Sequence, residues 1–454
     1  GRRSPLVSVL ATLALLAGMV GVGVATSSPA QSAASTGTGI SYTLEGCRAS
    51  TDAYLSGTFI CPTAQYTTGN LGKGWNEFDL VPGRVTLGAG NSAPTSQTFS
   101  FVYAVDNCST TDGATTCSGF PGYDRLSALE LNAGLSSGTC DTTPTVSGPL
   151  FAAPGMGGTG TTLYRTVTID GQSKNSTCVY DFYARLAFNS HLYPGSSLHF
   201  NLANTDLAPA GVGSKEVSIP VKEILPPGFS KTQSSSQGST VLWNVTKSST
   251  PATVTFSETC PTTANPQSEA VTVTVTWTKS TTASGAITVV ANIVLQNNAH
   301  RSITVDLSDQ LYEGSDPATG TAIQSPQTST TVLAAGAGDT VTDTWSVTGS
   351  TATAFSDRAT ATFKDTVFDE TLGTATRTAS STLVTLDPTS GATATIQDVE
   401  RLTDTATPPV QLTTASPFRF SVDSVSGVAG SFSDYAVLGA QTVGPVTWNS
   451  GTVS

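Results

Sequence analysis

Five sets of residues have types and spacings that could support chemistry. Gly134-Leu135-Ser136-Ser137-Gly138 has the G-x-S-x-G spacing that exposes a nucleophilic serine on a strand-to-helix turn. Cys140 and Pro144 follow where that helix would run, so the match reflects a Ser/Gly-rich composition. Gly155-Met156-Gly157-Gly158-Thr159-Gly160 has G-x-G-x-x-G spacing, which holds a pyrophosphate only where the loop opens a helix. Residues 163–169 look like a strand instead, and a flexible glycine loop is expected. The three histidines, His191, His199 and His300, make no H-E-x-x-H pair, and nothing marks one as a general base. Asp306 with Asp309, and Asp365 with Asp369 and Glu370, are oxygen donors that could take calcium at a strand end. No EF-hand-like loop frames them, and solvated turn acids are the expectation. Acid, base and nucleophile nowhere converge, so neither enzymatic activity nor a cofactor is expected.

The cysteines come next, because they must fix whatever elements exist. Six of the seven, Cys47, Cys61, Cys108, Cys117, Cys140 and Cys178, fall within one stretch and predict a disulfide-stapled domain. Loop length favours Cys47–Cys61, Cys108–Cys117 and Cys140–Cys178, although six cysteines allow 15 connectivities. Cys260 is left over. It is either buried and free or paired outside this chain. Without a C-x-x-C pair, zinc is not expected.

Those elements are strands. Residues 41–44, 98–103 and 164–169 alternate with period two, and 178–188 suits an aromatic-packed core strand. Leu126, Ala128, Leu129 and Leu131 predict one short helix within 124–135. Beyond Pro226-Pro227-Gly228 the alternation sharpens at 241–245, 271–277, 287–295, 303–307, 340–347 and 359–363. It predicts a sandwich with Trp243, Trp277 and Trp345 between its sheets. The fold class expected is all-β: tandem β-sandwich, immunoglobulin-like domains, the first disulfide-stapled. The domains expected are 35–224, 225–386 and the start of a third at 387–454.

Composition agrees. Of 454 residues only 11% are charged, well below the roughly 25% of an ordinary soluble domain, and Ser, Thr and Gly fill the gap. β-branched Thr favours a pleated surface, and amphipathic helices lack the charged face they need. Lys+Arg 20 against Asp+Glu 32 gives a net charge of −12, without a basic run beyond the N-terminus, which argues against nucleic acid.

Arg2 and Arg3 precede an apolar run over 6–25 and a small-residue tail, Pro29-Ala30-Gln31-Ser32-Ala33-Ala34, the order of a secretory signal peptide. Cleavage is expected between Ala30 and Ser35. An uncleaved anchor is the rival, since the run approaches the roughly 20 residues that span a bilayer. No second long apolar run occurs, so no membrane span is expected after cleavage. Opening on Gly1 and closing on a broken strand, the chain is expected to be part of a longer protein.

Ile287-Thr288-Val289, Asn297 and Ile303-Thr304-Val305-Asp306-Leu307-Ser308-Asp309, with Val332-Leu333-Ala334-Ala335-Gly336, 340–347 and 359–363 after them, resemble bacterial surface-protein repeats that build immunoglobulin-like stalks. The resemblance spans 286–386 and rests on loose motifs. The segment Asn70-Leu71-Gly72-Lys73-Gly74-Trp75-Asn76-Glu77-Phe78-Asp79-Leu80-Val81-Pro82 looks like a companion module of actinobacterial secreted proteins. The resemblance implies a wall-associated structural or adhesive protein, with a cell-wall or host-surface glycan or protein as its partner. It also implies an intramolecular Lys–Asn or Lys–Asp amide. Of Lys231 and Lys247, Lys247 is the expected donor, with Asn297 or Asp309 as acceptor. The alternative is a carbohydrate- or protein-binding module of a larger enzyme, with Trp75, Tyr66, Tyr103 and Tyr123 as a sugar-stacking platform.

Overall fold

Alternation of side chains along β-branched and hydroxyl-rich strands decides the architecture. The computed structural model describes residues 37–48, 61–112, 116–146, 150–151, 161–203, 212, 215–252, 268–400, 402–404, 418–425, 429–439 and 446–448. Among them the protein is nearly all strand and forms no α-helix. The signal-like segment, the glycine loop 155–160 and Cys260 lie outside the described residues.

The first unit begins with β1 (Ile40–Cys47), β2 (Tyr66–Thr67), β3 (Leu80–Ala89), β4 (Gln97–Cys108), β5 (Thr111–Asp112), β6 (Thr116–Cys117) and β7 (Tyr123–Leu126). It continues with β8 (Glu130–Leu131), β9 (Thr145–Val146), β10 (Leu150–Phe151), β11 (Thr161–Gln172), β12 (Thr177–Leu186), β13 (Ser197–Ala203) and β14 (Lys215–Pro220). One sheet runs β2-β1-β3-β12-β7 with β8 also on β12; the other runs β10-β11-β4-β13-β14 with β9 on β11. Between them lies a core rich in fully buried aromatics, among them Phe101, Tyr103, Tyr123, Tyr180 and Phe200. At about 1.5–3 kcal/mol per large apolar side chain buried, this layer is the unit's main stabiliser. Disulfides join Cys47 to Cys61, Cys108 to Cys117 and Cys140 to Cys178, with Cα separations of 6.2, 5.7 and 5.6 Å.

The expected helix at 124–135 is not there. β7 pairs with β12 and is followed by a bend and β8 on the same strand, so Leu126 and Leu129 reach the core from an irregular edge. Their leucine spacing satisfies the core in either conformation. The pairing groups offered by β12 settle which one forms.

The second unit consists of β15 (Gly228–Thr250), β16 (Ser268–Gln296), β17 (Ile303–Glu313), β18 (Thr321–Leu333), β19 (Gly338–Val347), β20 (Ala354–Asp365), β21 (Thr371–Thr382) and β22 (Val384–Thr385). Sheets β19-β16-β15-β22 and β18-β17-β20-β21 face each other. On β17, Ile303, Val305, Leu307, Asp309 and Leu311 point inward, whereas Thr304, Asp306, Ser308 and Gln310 point outward. At the free edge of β19, the side-chain amides of Gln324 and Gln327 on β18 donate to the carbonyls of Ser346 and Thr344. Capping of this kind removes a template for unwanted strand pairing.

β15 and β16 do not stop at this sandwich. Their pairing continues through a register shift at Gln237/Ser239 as far as Thr250 opposite Thr272, and residues 268–278 of β16 pair with the strand Ala429–Gly439. Trp345 lies in the sandwich core, but Trp243 and Trp277 belong to this distal ribbon, where they pack around Val275.

Candidate functional site: a buried lysine among three carboxylates

Inward-facing positions of β15 read Phe229, Lys231, Gln233 and Ser235, set between outward Ser230, Thr232 and Ser234. Alternation thus carries Lys231 into the sandwich, where its side chain is 0% exposed. From the opposite sheet come Asp309 on β17 and Asp357 on β20, which are close neighbours because Asp309 pairs with Ala359 and Leu311 with Asp357. Lys231 Nζ donates to Asp309 Oδ2 and lies 3.0 Å from Asp357 Oδ2, both carboxylates having wholly buried side chains. The Asp357 contact is an ion pair by distance only, and neither Asp357 oxygen makes a well-aligned hydrogen bond.

A third carboxylate, Asp343 on β19, completes the cluster. The charges of Asp309 and Lys231 both act on its titration. One cation cannot neutralise three buried anions, and charge without compensation is expelled from such an interior. The protonation equilibria shift accordingly. Burial pushes Asp357 up to about 7 against the pull of Lys231, with the charge of Asp309 adding to the rise. Burial also raises Asp309, against the opposing effect of Lys231, and raises Asp343, where the charge of Asp309 reinforces it. A lysine amine and two carboxyls whose titration burial has raised therefore meet within one buried cluster. These are the reactants for amide formation.

The sequence points to other residues for this chemistry, and their places are clear. Lys247 lies on the distal ribbon opposite Val275, about 50 Å beyond Lys231 at roughly 3.3 Å per strand residue. Asn297 is buried and donates to the carbonyls of Arg301, Leu333 and Ala334. Geometry thus transfers the candidate amine from Lys247 to Lys231. Asp309, expected as an acceptor, and Asp357 meet Lys231, whereas Asn297 bonds to backbone carbonyls instead. Trp75, Tyr103 and Tyr123 are at most 1% exposed, which dismantles the sugar-stacking platform, and Tyr66 is half-buried beneath Arg84. Asp306 and Asp309 face opposite sides of β17. Gly134–Gly138 forms a turn and short bridge with no helix after it.

A second concentration of polar groups joins the two units. Asp365, with a fully buried side chain, accepts from Arg185 of the first unit at 3.0 Å and from Arg301 of the second. Burial pushes its carboxyl up, but Arg301 and the amides of Val367 and Phe368 outweigh burial and hold it low. Arg185 also pairs with Asp124 at 2.7 Å and Glu370 at 2.8 Å. Beside this network Phe78, with φ +74°, inserts into the core of the second sandwich and contacts Phe188 and Phe363. The histidines serve structure as well: His300 Nδ1 lies 2.8 Å from Asp79, His191 Nδ1 2.5 Å from Glu77, and His199 Nδ1 2.8 Å from Asp106. A groove of about 520 Å³ opens beside the junction, lined in part by Arg125, Arg165, Tyr183 and Glu370.

Fold and site together define a disulfide-bonded, strand-rich protein of stacked sandwiches. No protein-family model matches the chain, and no curated protein is similar to it. Among solved structures, the Enterococcus faecalis surface adhesin (MSCRAMM) ACE is 8% identical, covering 71% of this chain and 94% of its own, with TM-score 0.17. The Actinomyces fimbrial adhesin FimA is 11% identical over 70% of this chain and 96% of its own, with TM-score 0.15. A Bacteroides uniformis β-glucuronidase is 11% identical over 76% of this chain and 32% of its own, with TM-score 0.16. Likenesses this distant carry no inference about what the chain binds.

Proposed function

We propose that this protein is a non-enzymatic, extracellular structural and adhesive module of a bacterial surface, whose second sandwich is locked by an amide between Lys231 and Asp357. The observation that carries it is the fully buried Lys231 amine, 3.0 Å from a carboxyl that burial pushes up to about 7. Asp309 takes a proton from the Lys231 ammonium, freeing the amine to attack the carbonyl carbon of neutral Asp357. The tetrahedral intermediate loses its hydroxyl as water, the new amide sheds a proton, and Asp309 ends protonated. Ammonium, carboxylate and acid become amide, water and acid, so atoms and charge balance and the interior loses its ions. Relief of that desolvation is the driving force.

The crosslink would tie the first strand of the sandwich to β20 in the opposite sheet, so tension entering at Gly228 would not peel β15 away. Disulfides serve the first unit similarly, by restricting its unfolded state. The test is proteolysis of the folded, reduced protein followed by mass spectrometry. A branched peptide joining the Lys231 and Asp357 segments, lighter than its parts by one water, is expected. Recovery of both peptides unjoined would sink the reading.

A further inference from the structure

The reactive cluster lies inside the second sandwich between two apolar layers. Phe229, Leu307 and Ala359 belong to one layer, and each stands two residues along its strand from Lys231, Asp309 or Asp357. Leu311 and Phe355, two residues from Asp309 and Asp357 in the other direction, belong to the second layer. The first layer is not made by the second unit alone. Phe78 of the first unit is a buried member of it, and Phe188 packs against it. The rings of Phe78 and Phe188 lie 5.6 and 5.7 Å from that of Phe363, and 6.0 Å from each other, centroid to centroid. With φ +74°, Phe78 holds a left-handed backbone that a phenylalanine rarely adopts. Its amide donates to the Leu186 carbonyl of the first unit at 2.9 Å, and its carbonyl accepts from Arg301 of the second at 3.3 Å. On either side of it, Asp79 accepts from the His300 amide at 2.7 Å and the Asn76 side chain donates to the Asn298 carbonyl at 2.7 Å. A strained residue held from both units delivers its ring into a core that is not its own.

We infer that the first unit gates the crosslink of the second: docking of Phe78 and Phe188 seals one end of the sandwich core, and only the sealed core lets Lys231 condense with Asp357. Water beside the cluster would solvate the ammonium and the carboxylates, and in those forms the amine is no nucleophile and the carboxyl a poor electrophile. Excluding water removes that stabilisation. The second unit supplies every reacting atom, and the first supplies the seal. Phe78 and Phe188 touch neither Lys231 nor Asp357 in this role and act through the apolar layer that flanks them. An order of events follows, in which the disulfide-bonded unit folds and docks before its neighbour locks. The inference rests on the crosslink reading above.

The test follows the full chain from its synthesis. Wild type and Phe78→Gly are made in a cell-free system under oxidising conditions, and samples quenched in denaturant at intervals are digested to quantify the branched peptide. Glycine accepts φ +74° without strain, so the variant keeps the turn and loses only the ring. Hydrogen exchange of β17 and β20 in parallel unquenched samples reports how much of the second sandwich has folded. The variant should form the amide about tenfold more slowly while β17 and β20 stay protected, since each pH unit by which Asp357 returns towards its solvated range removes about tenfold of its neutral form. A wild-type rate in Phe78→Gly, or a rate that falls only in proportion to exchange protection, overturns the gate. Should Phe78→Gly not fold, Gly373→Ala decides by the same two criteria, because its Cβ would lie 2.4 Å from the Phe188 ring and displace the seal from the second unit's side. Absence of any branched peptide from wild type overturns the crosslink reading itself and is thus distinct from the other outcomes.

Discussion

Lys231 shows how a single side chain can be hidden in an unremarkable stretch. Its neighbours are serine, threonine and glutamine, and a lysine in such company ordinarily extends its amine into water. The signal available was parity, because Lys231 falls in step with Phe229, Asp309 in step with Val305 and Leu307, and Asp357 in step with Phe355 and Ala359. A charge that keeps step with an apolar row marks a buried ion from the residue order alone. That the three rows converge is a tertiary fact, which no local pattern contains. Lys231→Met removes both the amine and the cation. Asp357 then keeps a folded pKa far above the unfolded value of about 3.9, so the folded state holds a proton that the unfolded chain releases. Stability is therefore greatest in acid and is lost as pH rises from about 4 to about 7. In a wild type crosslinked as proposed the amide has consumed both the ammonium and the Asp357 carboxyl, so this titration belongs to the variant. Urea midpoints at pH 5 and pH 8 should separate more for the variant than for wild type, and equal separations would contradict the assignment.

Elements were more legible than sites. Period-two alternation located most long strands, because a sheet with one wet face writes its geometry directly into the sequence. The segment 124–135 misleads because Leu126, Leu129 and Leu131, at mixed spacing, satisfy a helix face as well as a bent edge strand, and β12 supplies the deciding partners. Strand lengths were also underestimated: β15 runs for 23 residues and β16 for 29, where the sequence suggests several separate strands. The disulfides invite a test at this scale. Cys140–Cys178 closes a separation of 38 residues and Cys108–Cys117 one of 9. Loop entropy then makes the former the stronger staple by about 1 kcal/mol. Paired Cys→Ser variants compared by urea unfolding should rank in that order, and the reverse ranking would show that the unfolded chain does not set the difference.

At the scale of the molecule, the junction of the first two units is built like an interior. Phe78 of the first unit fills the second unit's core, Phe188 covers Gly373 so closely that an added Cβ would lie 2.4 Å from its ring, and Asp365 anchors a guanidinium from each side. Asp365→Ala strands Arg185 and Arg301 beside a buried void, a change that ordinarily costs about 3–5 kcal/mol. Calorimetry of wild type should show the two units melting together, whereas the variant should resolve into two transitions. A single transition in both would place their cooperativity elsewhere. A different consequence follows from the ribbon of β15 and β16, which leaves the sandwich and pairs with Ala429–Gly439 without an intervening linker. At roughly 3.3 Å per residue, β15 alone extends for about 75 Å. A spacer made of linked beads lets each bead choose its own bearing. One made from a continuous pair of strands transmits bearing as well as distance, so the heading of its far end is set by the near end, as in a compass needle.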